Sequence, residues 1–103
     1  MKPLGSHNYY TYILTNKYKT VLYTGVSNNL KRRLYEHTID SQRSSKSFVG
    51  RYNAKYLVYY ERHQYIQDAI KREKQIKGWL RQKKINLISE FNKDWKFLND
   101  EID

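Results

Sequence analysis

Tyr9-Tyr10-Thr11-Tyr12-Ile13-Leu14 and Val21-Leu22-Tyr23-Thr24-Gly25-Val26, joined by the polar, turn-compatible TNKYKT, decide how this chain is read. Both runs are rich in aromatic and branched side chains, which suit an extended, half-buried backbone. So short a link between two strands predicts an antiparallel hairpin. With the loop symmetric about Lys17 and Tyr18, facing positions sum to 35, and Tyr12 stands opposite Tyr23 on one side of the sheet.

Working outward, Ser27-Asn28-Asn29 forms a polar cap before a helical run from Leu30 through His37. Leu30 and Leu34 make its apolar row. Arg33 and His37 make a second row at the same i, i+4 spacing, which sets a fixed cation beside a titratable imidazole. Residues 40–55 contain SQRSSKS and are expected to form a loop or frayed element carrying Arg43, Lys46, Arg51 and Lys55. A third strand is expected over Tyr56 to Glu61, and a second long helix over about Tyr65 to Trp79. Ala69, Ile70, Ile76 and Leu80 mark the stripe of that helix. Glu73 falls inside the stripe, where a carboxylate needs a compensating cation or donor. Ile85, Ile88 and Phe91 continue at helical spacing, with Trp95 and Leu98 as packing residues beyond. The expected class is α+β, a three-stranded antiparallel sheet flanked by helices. Residues 1–8 read as a loose lead-in, 9–98 as a single domain and 99–103 as an acidic tail.

The chain has 103 residues, 39% hydrophobic and 16% aromatic, enough for one modest core. It has no cysteine, which excludes disulfides, thiolate nucleophiles and Cys-ligated metals. No apolar run approaches a membrane span and no secretory signal is evident, so a cytoplasmic protein with no membrane partner is expected. Lys and Arg number 20 against 10 Asp and Glu, a net charge of +10. Residues 1–89 hold 18 basic and 5 acidic side chains, an excess of 13 that favours a polyanion, most simply nucleic acid.

Tyr12, Tyr23, Arg33, His37 and Glu73 all project from regular elements. Phosphodiester hydrolysis needs a deprotonated water, neutralised phosphoryl oxygens and help for the leaving oxygen. A lone carboxylate suits Mg²⁺, which keeps most of its water. Arg33 offers a planar fork with a permanent charge to a phosphate. A tyrosine is a poor base near its usual pKa of about 10, but a nearby guanidinium or metal eases its ionisation. His37 can take or relay a proton at neutral pH. Each group also has a plain reading: strand aromatics, a solvated arginine, a histidine at a helix end, a Glu73 to Lys77 surface pair.

Together these residues resemble a known family. VLYTGVSNNLKRRLYEH is similar to the second half of the GIY-YIG nuclease motif, and YYTYILTN to the first half. The resemblance spans roughly residues 8–98 and implies a nuclease domain. It matches Tyr12 to the GIY tyrosine, Tyr23 and Gly25 to the YIG tyrosine and glycine, and Arg33 with His37 to the helix pair. Glu73, in AIKREKQIKGW, matches the metal ligand. Tyr10 replaces the GIY glycine and Thr24 the central YIG isoleucine. FVGRYNAKYLVYYE and FNKDW resemble the small stand-alone bacterial branch of the UvrC/URI-like type, and Asn92, ahead of Asn86, matches a late accessory asparagine.

The resemblance implies a DNA endonuclease dependent on Mg²⁺ or Mn²⁺, with no small-molecule cofactor, that serves repair, restriction or mobile DNA. Glu73 is assigned to the metal and Arg33 to the scissile phosphate. Tyr12 accepts the proton with help from His37, and Tyr23 positions water or phosphate. Lys31, Arg32, Arg43, Lys46 and Arg51 are expected to contact DNA, which gives salt-sensitive affinity with little sequence information. The rival reading is a non-catalytic nucleic-acid-binding module that retains the fold. A more distant one is an adaptor for an acidic protein. Oligomeric state is left open.

Overall fold

A computed structural model describes residues 8–43 and 48–102 of the chain. β1 (Tyr9–Thr15) and β2 (Leu22–Ser27) pair antiparallel as the expected hairpin. Asn16 sets its turn: the main-chain oxygen accepts Lys19 N at 3.0 Å, Oδ1 accepts Thr20 N at 2.8 Å, and Lys19 takes a left-handed φ of 59°. The loop is therefore lopsided, a tight turn over 16–19 followed by two more residues. This corrects the register. Tyr12 faces Gly25 and Tyr23 faces Leu14, so facing positions sum to 37 and not 35. Because side chains alternate with a period of two, a shift of two keeps both tyrosines on the expected face.

β3 (Tyr56–His63) pairs antiparallel with the other side of β1, giving the order β2-β1-β3, with a bulge that inserts Val58. β1 is central, and Thr11 through Thr15 are all buried. Alternation along it builds two cores. Tyr12 and Leu14 pack with Leu57 against Leu30 and Leu34 of α1 (Leu30–Arg43). On the opposite face, Ile13 packs with Val58 and Tyr59 against Ile76 of α3 (Ile66–Lys77) and Ile88 of α4 (Arg81–Phe91). Thr11 Oγ1 donates to Ala69 O at 2.8 Å and ties α3 to the central strand.

α1 starts as the polar cap predicts: Asn29 Oδ1 accepts Arg32 N at 3.0 Å, and Ser27 Oγ accepts Asn29 N at 3.0 Å. It runs well past His37, and α2 (Phe48–Tyr52) follows, where a loop or frayed element was expected. The stretch is polar, yet it holds no Gly or Pro before Gly50, so nothing in it ends a helix. The apolar stripe of α3 is narrower than expected. Ala69 and Ile76 are buried, whereas Ile70 is exposed and Leu80 is 85% exposed. The helix closes on Gly78, whose N–H bonds to Lys74 O and Gln75 O, and Leu80 turns extended to begin α4.

The C-terminal residues seal the outer edge of β3. Leu98 N donates to Leu57 O at 2.7 Å, Leu57 N donates to Asn99 Oδ1 at 2.8 Å, and Asn99 Nδ2 donates to Lys55 O at 3.0 Å. An unpaired strand edge is thereby covered. Residues 99–101 form a short 3-10 turn, and Ile102 packs on the core beneath α1. The acidic tail expected from residue 99 is thus tied into the fold as far as Ile102. Of the expected lead-in, residues 1–7 lie outside the described part, as does Asp103 of the tail.

Candidate active site

Tyr12 rises from the middle of β1, the most buried strand, with a relative exposure of 1%. Directly across the ladder, Gly25 leaves room for its ring. A Cβ at Gly25 would lie 2.6 Å from the Tyr12 hydroxyl oxygen and 2.7 Å from its Cζ. The need for glycine is therefore steric. Tyr23, two residues before Gly25 and on the same face, is a diagonal neighbour of Tyr12, with ring centroids 6.5 Å apart.

α1 brings the other two groups over this face. Leu30 and Leu34 anchor the helix, so the adjoining row of Arg33 and His37 meets the tyrosines. His37 is 2% exposed, and its Nε2 lies 2.8 Å from the Tyr12 hydroxyl. Its ring also meets Tyr12 and Tyr23 edge-on, at 5.9 and 5.5 Å. The Arg33 guanidinium acts electrostatically on the same Tyr12 hydroxyl, and Glu36 pairs with that guanidinium at 3.5 Å. Arg33 keeps more than a third of its side chain exposed, so a cation reaches solvent directly above a buried phenol and imidazole.

Burial pushes the Tyr12 hydroxyl up from 10.0 to about 12. The nearby Arg33 guanidinium pulls the other way, while Tyr23 and Glu73 add to the rise. The expectation that Arg33 eases phenolate formation is thus outweighed by desolvation, and Tyr12 holds its proton at neutral pH. For Arg33, burial alone would lower the pKa, but its neighbours Tyr12, Tyr23 and Glu36 raise it on balance. That guanidinium is permanently cationic.

Glu73 sits on α3 between Ala69 and Ile76, which hold the helix to the sheet. Its charge is felt at the Tyr12 hydroxyl, so it belongs to the same electrostatic neighbourhood. Its carboxylate also pairs with Lys77 Nζ at 3.6 Å, the i, i+4 contact of the plain reading. Lys77 is half exposed, and such a pair stabilises by only a few tenths of a kcal/mol.

Over residues 8–86 the chain matches the family model of the GIY-YIG catalytic domain. The chain belongs to the GIY-YIG family. A UPF0213 protein of Syntrophus aciditrophicus (strain SB) is 37% identical over 89 residues, which cover 79% of this chain and 90% of that relative. The solution NMR structure of a UPF0213 protein from Bacillus halodurans aligns with a TM-score of 0.53 at 27% identity, covering 85% of this chain and 89% of that one. The family resemblance and the α+β fold expected from sequence are both borne out. GIY-YIG domains form a nuclease superfamily, and neither relative's name adds an activity.

Lys31 and Arg32 are exposed on the first turn of α1, Arg32 reaching Asn28 Oδ1 at 3.3 Å, and Arg51 is exposed on α2. Lys46 and the side chain of Arg43 lie outside the described residues. Asn92 is not gathered into the cluster. It is buried at the end of α4, where Nδ2 donates to Val58 O and Lys96 O and Oδ1 accepts Lys96 N, so it serves the scaffold. Beyond Lys77, sequence reading passed over the cations around Glu73: Lys71, Lys74, Arg81 and Lys83 are exposed along α3 and α4. The signal was in plain view, since KREKQIKGWLRQKK carries seven cations and one acid.

Among the described residues no three His, Asp or Glu gather as a metal cluster. A single carboxylate on a partly exposed helix fits a hard, hydrated ion such as Mg²⁺.

Proposed function

We propose that this protein is a Mg²⁺-dependent DNA endonuclease that hydrolyses phosphodiester bonds. One observation carries the reading. A buried tyrosine hydroxyl is bonded to an imidazole nitrogen with a guanidinium in its electrostatic reach, inside a domain of a nuclease superfamily. Arg33 grips the non-bridging phosphoryl oxygens and compensates their growing charge. Tyr12 takes a proton from the attacking water while passing its own to His37 Nε2, which needs the Nδ1–H tautomer of the imidazole. The water oxygen bonds to phosphorus and the ester oxygen departs. Relay through His37 answers the raised pKa of Tyr12, because no free phenolate has to form. Tyr23 orients the water or the phosphate with its hydroxyl. Glu73 would hold Mg²⁺, or Mn²⁺ in its place, and the bound ion would neutralise charge at the phosphate and the leaving oxygen.

The Glu73 to Lys77 pair favours a second reading, a binding module in which that carboxylate is merely neutralised. Incubation of supercoiled plasmid with Mg²⁺ separates the two. The nuclease nicks the plasmid, and Glu73→Ala abolishes nicking while leaving DNA binding within about twofold. A native chain that binds DNA and leaves the plasmid intact is the module.

A further inference from the structure

The tip of the β1–β2 hairpin carries a second feature that the hydrolytic cluster does not use. Between the turn and the end of α2 lies a hollow of about 240 Å³, floored by Tyr18, Tyr52 and Tyr56 and flanked by Lys17 and Lys55. Tyr18 is 76% exposed and Tyr52 is 42% exposed. Each of these rings has a cation beside it: Lys17 at 6.0 Å from the Tyr18 centroid, Arg51 at 5.7 Å from Tyr52 and Lys55 at 5.6 Å from Tyr56. No carboxylate lines the hollow among the described residues.

Tyr18 at the hairpin tip and Tyr52 at the end of α2 present exposed ring surface, Tyr56 stacks on Phe97 at 4.2 Å, and the association of these rings with cations matches one class of ligand. A nucleotide presents a flat π-face to stack on a ring and a phosphate to meet a cation, and stacking tolerates every base. A paired duplex hides those faces. We propose that the hollow binds unpaired nucleotides of the DNA whose scissile phosphate lies at Tyr12 and Arg33, so that the substrate has a single-stranded stretch beside the cut.

The fold supports the spacing. Tyr56 pairs with Thr15, three residues along β1 from Tyr12, which is roughly 10 Å at strand rise, or about three nucleotides at stacked spacing. A neighbouring hollow shares Lys55 and Tyr56 and reaches Thr38, next in sequence to His37, so the path continues toward the active helix.

This proposal rests on the nuclease reading for its geometry, but it is tested by binding alone. Fluorescence anisotropy with EDTA present compares a labelled single-stranded DNA of about 15 nucleotides, its duplex and the RNA of the same sequence. Tyr18→Ala with Tyr52→Ala should weaken single-strand binding about tenfold or more and change duplex binding less than about twofold. Tyr18→Phe with Tyr52→Phe keeps the rings and should bind as the native chain does. Thermal melting by circular dichroism verifies that the variants fold. Unchanged single-strand affinity in the alanine variant overturns the proposal. So does equal loss on the duplex, or a tenfold preference of the native chain for RNA. A chain that fails to cut but shows the expected binding pattern refutes the nuclease reading and leaves the hollow assigned.

Discussion

Gly25 and Tyr12 act as one unit. The Tyr12 ring is buried and bonded to His37, so it has nowhere to retreat from a methyl group 2.6 Å from its oxygen. Gly25→Ala should therefore destabilise the protein by about 1–3 kcal/mol, seen as a lower urea midpoint, and should displace the hydroxyl enough to suppress nicking. Tyr12 also makes stability depend on pH. The folded chain holds that proton up to about 12, against 10.0 when unfolded. The folded state thus binds more protons between those values. Its stabilisation is complete below pH 10 and is lost as pH rises through 12, on the order of 2–3 kcal/mol. Burial also raises Tyr59, assisted by Glu61, and so adds in the same direction. Tyr12→Phe should flatten the urea stability profile above pH 10, and parallel profiles for the two proteins would refute this.

Elements were legible where their own residues specify them. The three strands, the Asn29 cap and the pairing of Arg33 with His37 follow from local pattern and spacing. The hairpin register did not, because it depends on how Asn16 folds back on Lys19 and Thr20, a side-chain choice that periodicity does not encode. The length of α1 was missed because polar residues without a breaker read equally as loop. Asn92 was read through family likeness, while its actual bonds run to Val58 and Lys96, contacts that only the tertiary fold creates. Asn92→Ala leaves those buried carbonyls without their donor and should cost about 1–3 kcal/mol. A lower melting temperature with nicking retained at low temperature supports the scaffold role, whereas lost nicking at full stability contradicts it.

For the molecule as a whole, charge was the most readable property and the least specific. An excess of ten cations predicts polyanion binding, but not where the strand runs. The site itself was legible as a set of residue types. Its energetics were not, since Tyr12's retained proton comes from burial beneath α1. If three or four phosphates are contacted, DNA affinity should fall roughly 20- to 150-fold between about 50 and 200 mM salt, measured by anisotropy. A flat salt response would remove the electrostatic basis for nucleic-acid binding. The closure of β3 by Leu98 and Asn99 has a further result. A chain shortened after Trp95 would present raw amide and carbonyl groups to its neighbours, and light scattering should register self-association long before the distant hydrolytic groups feel any change.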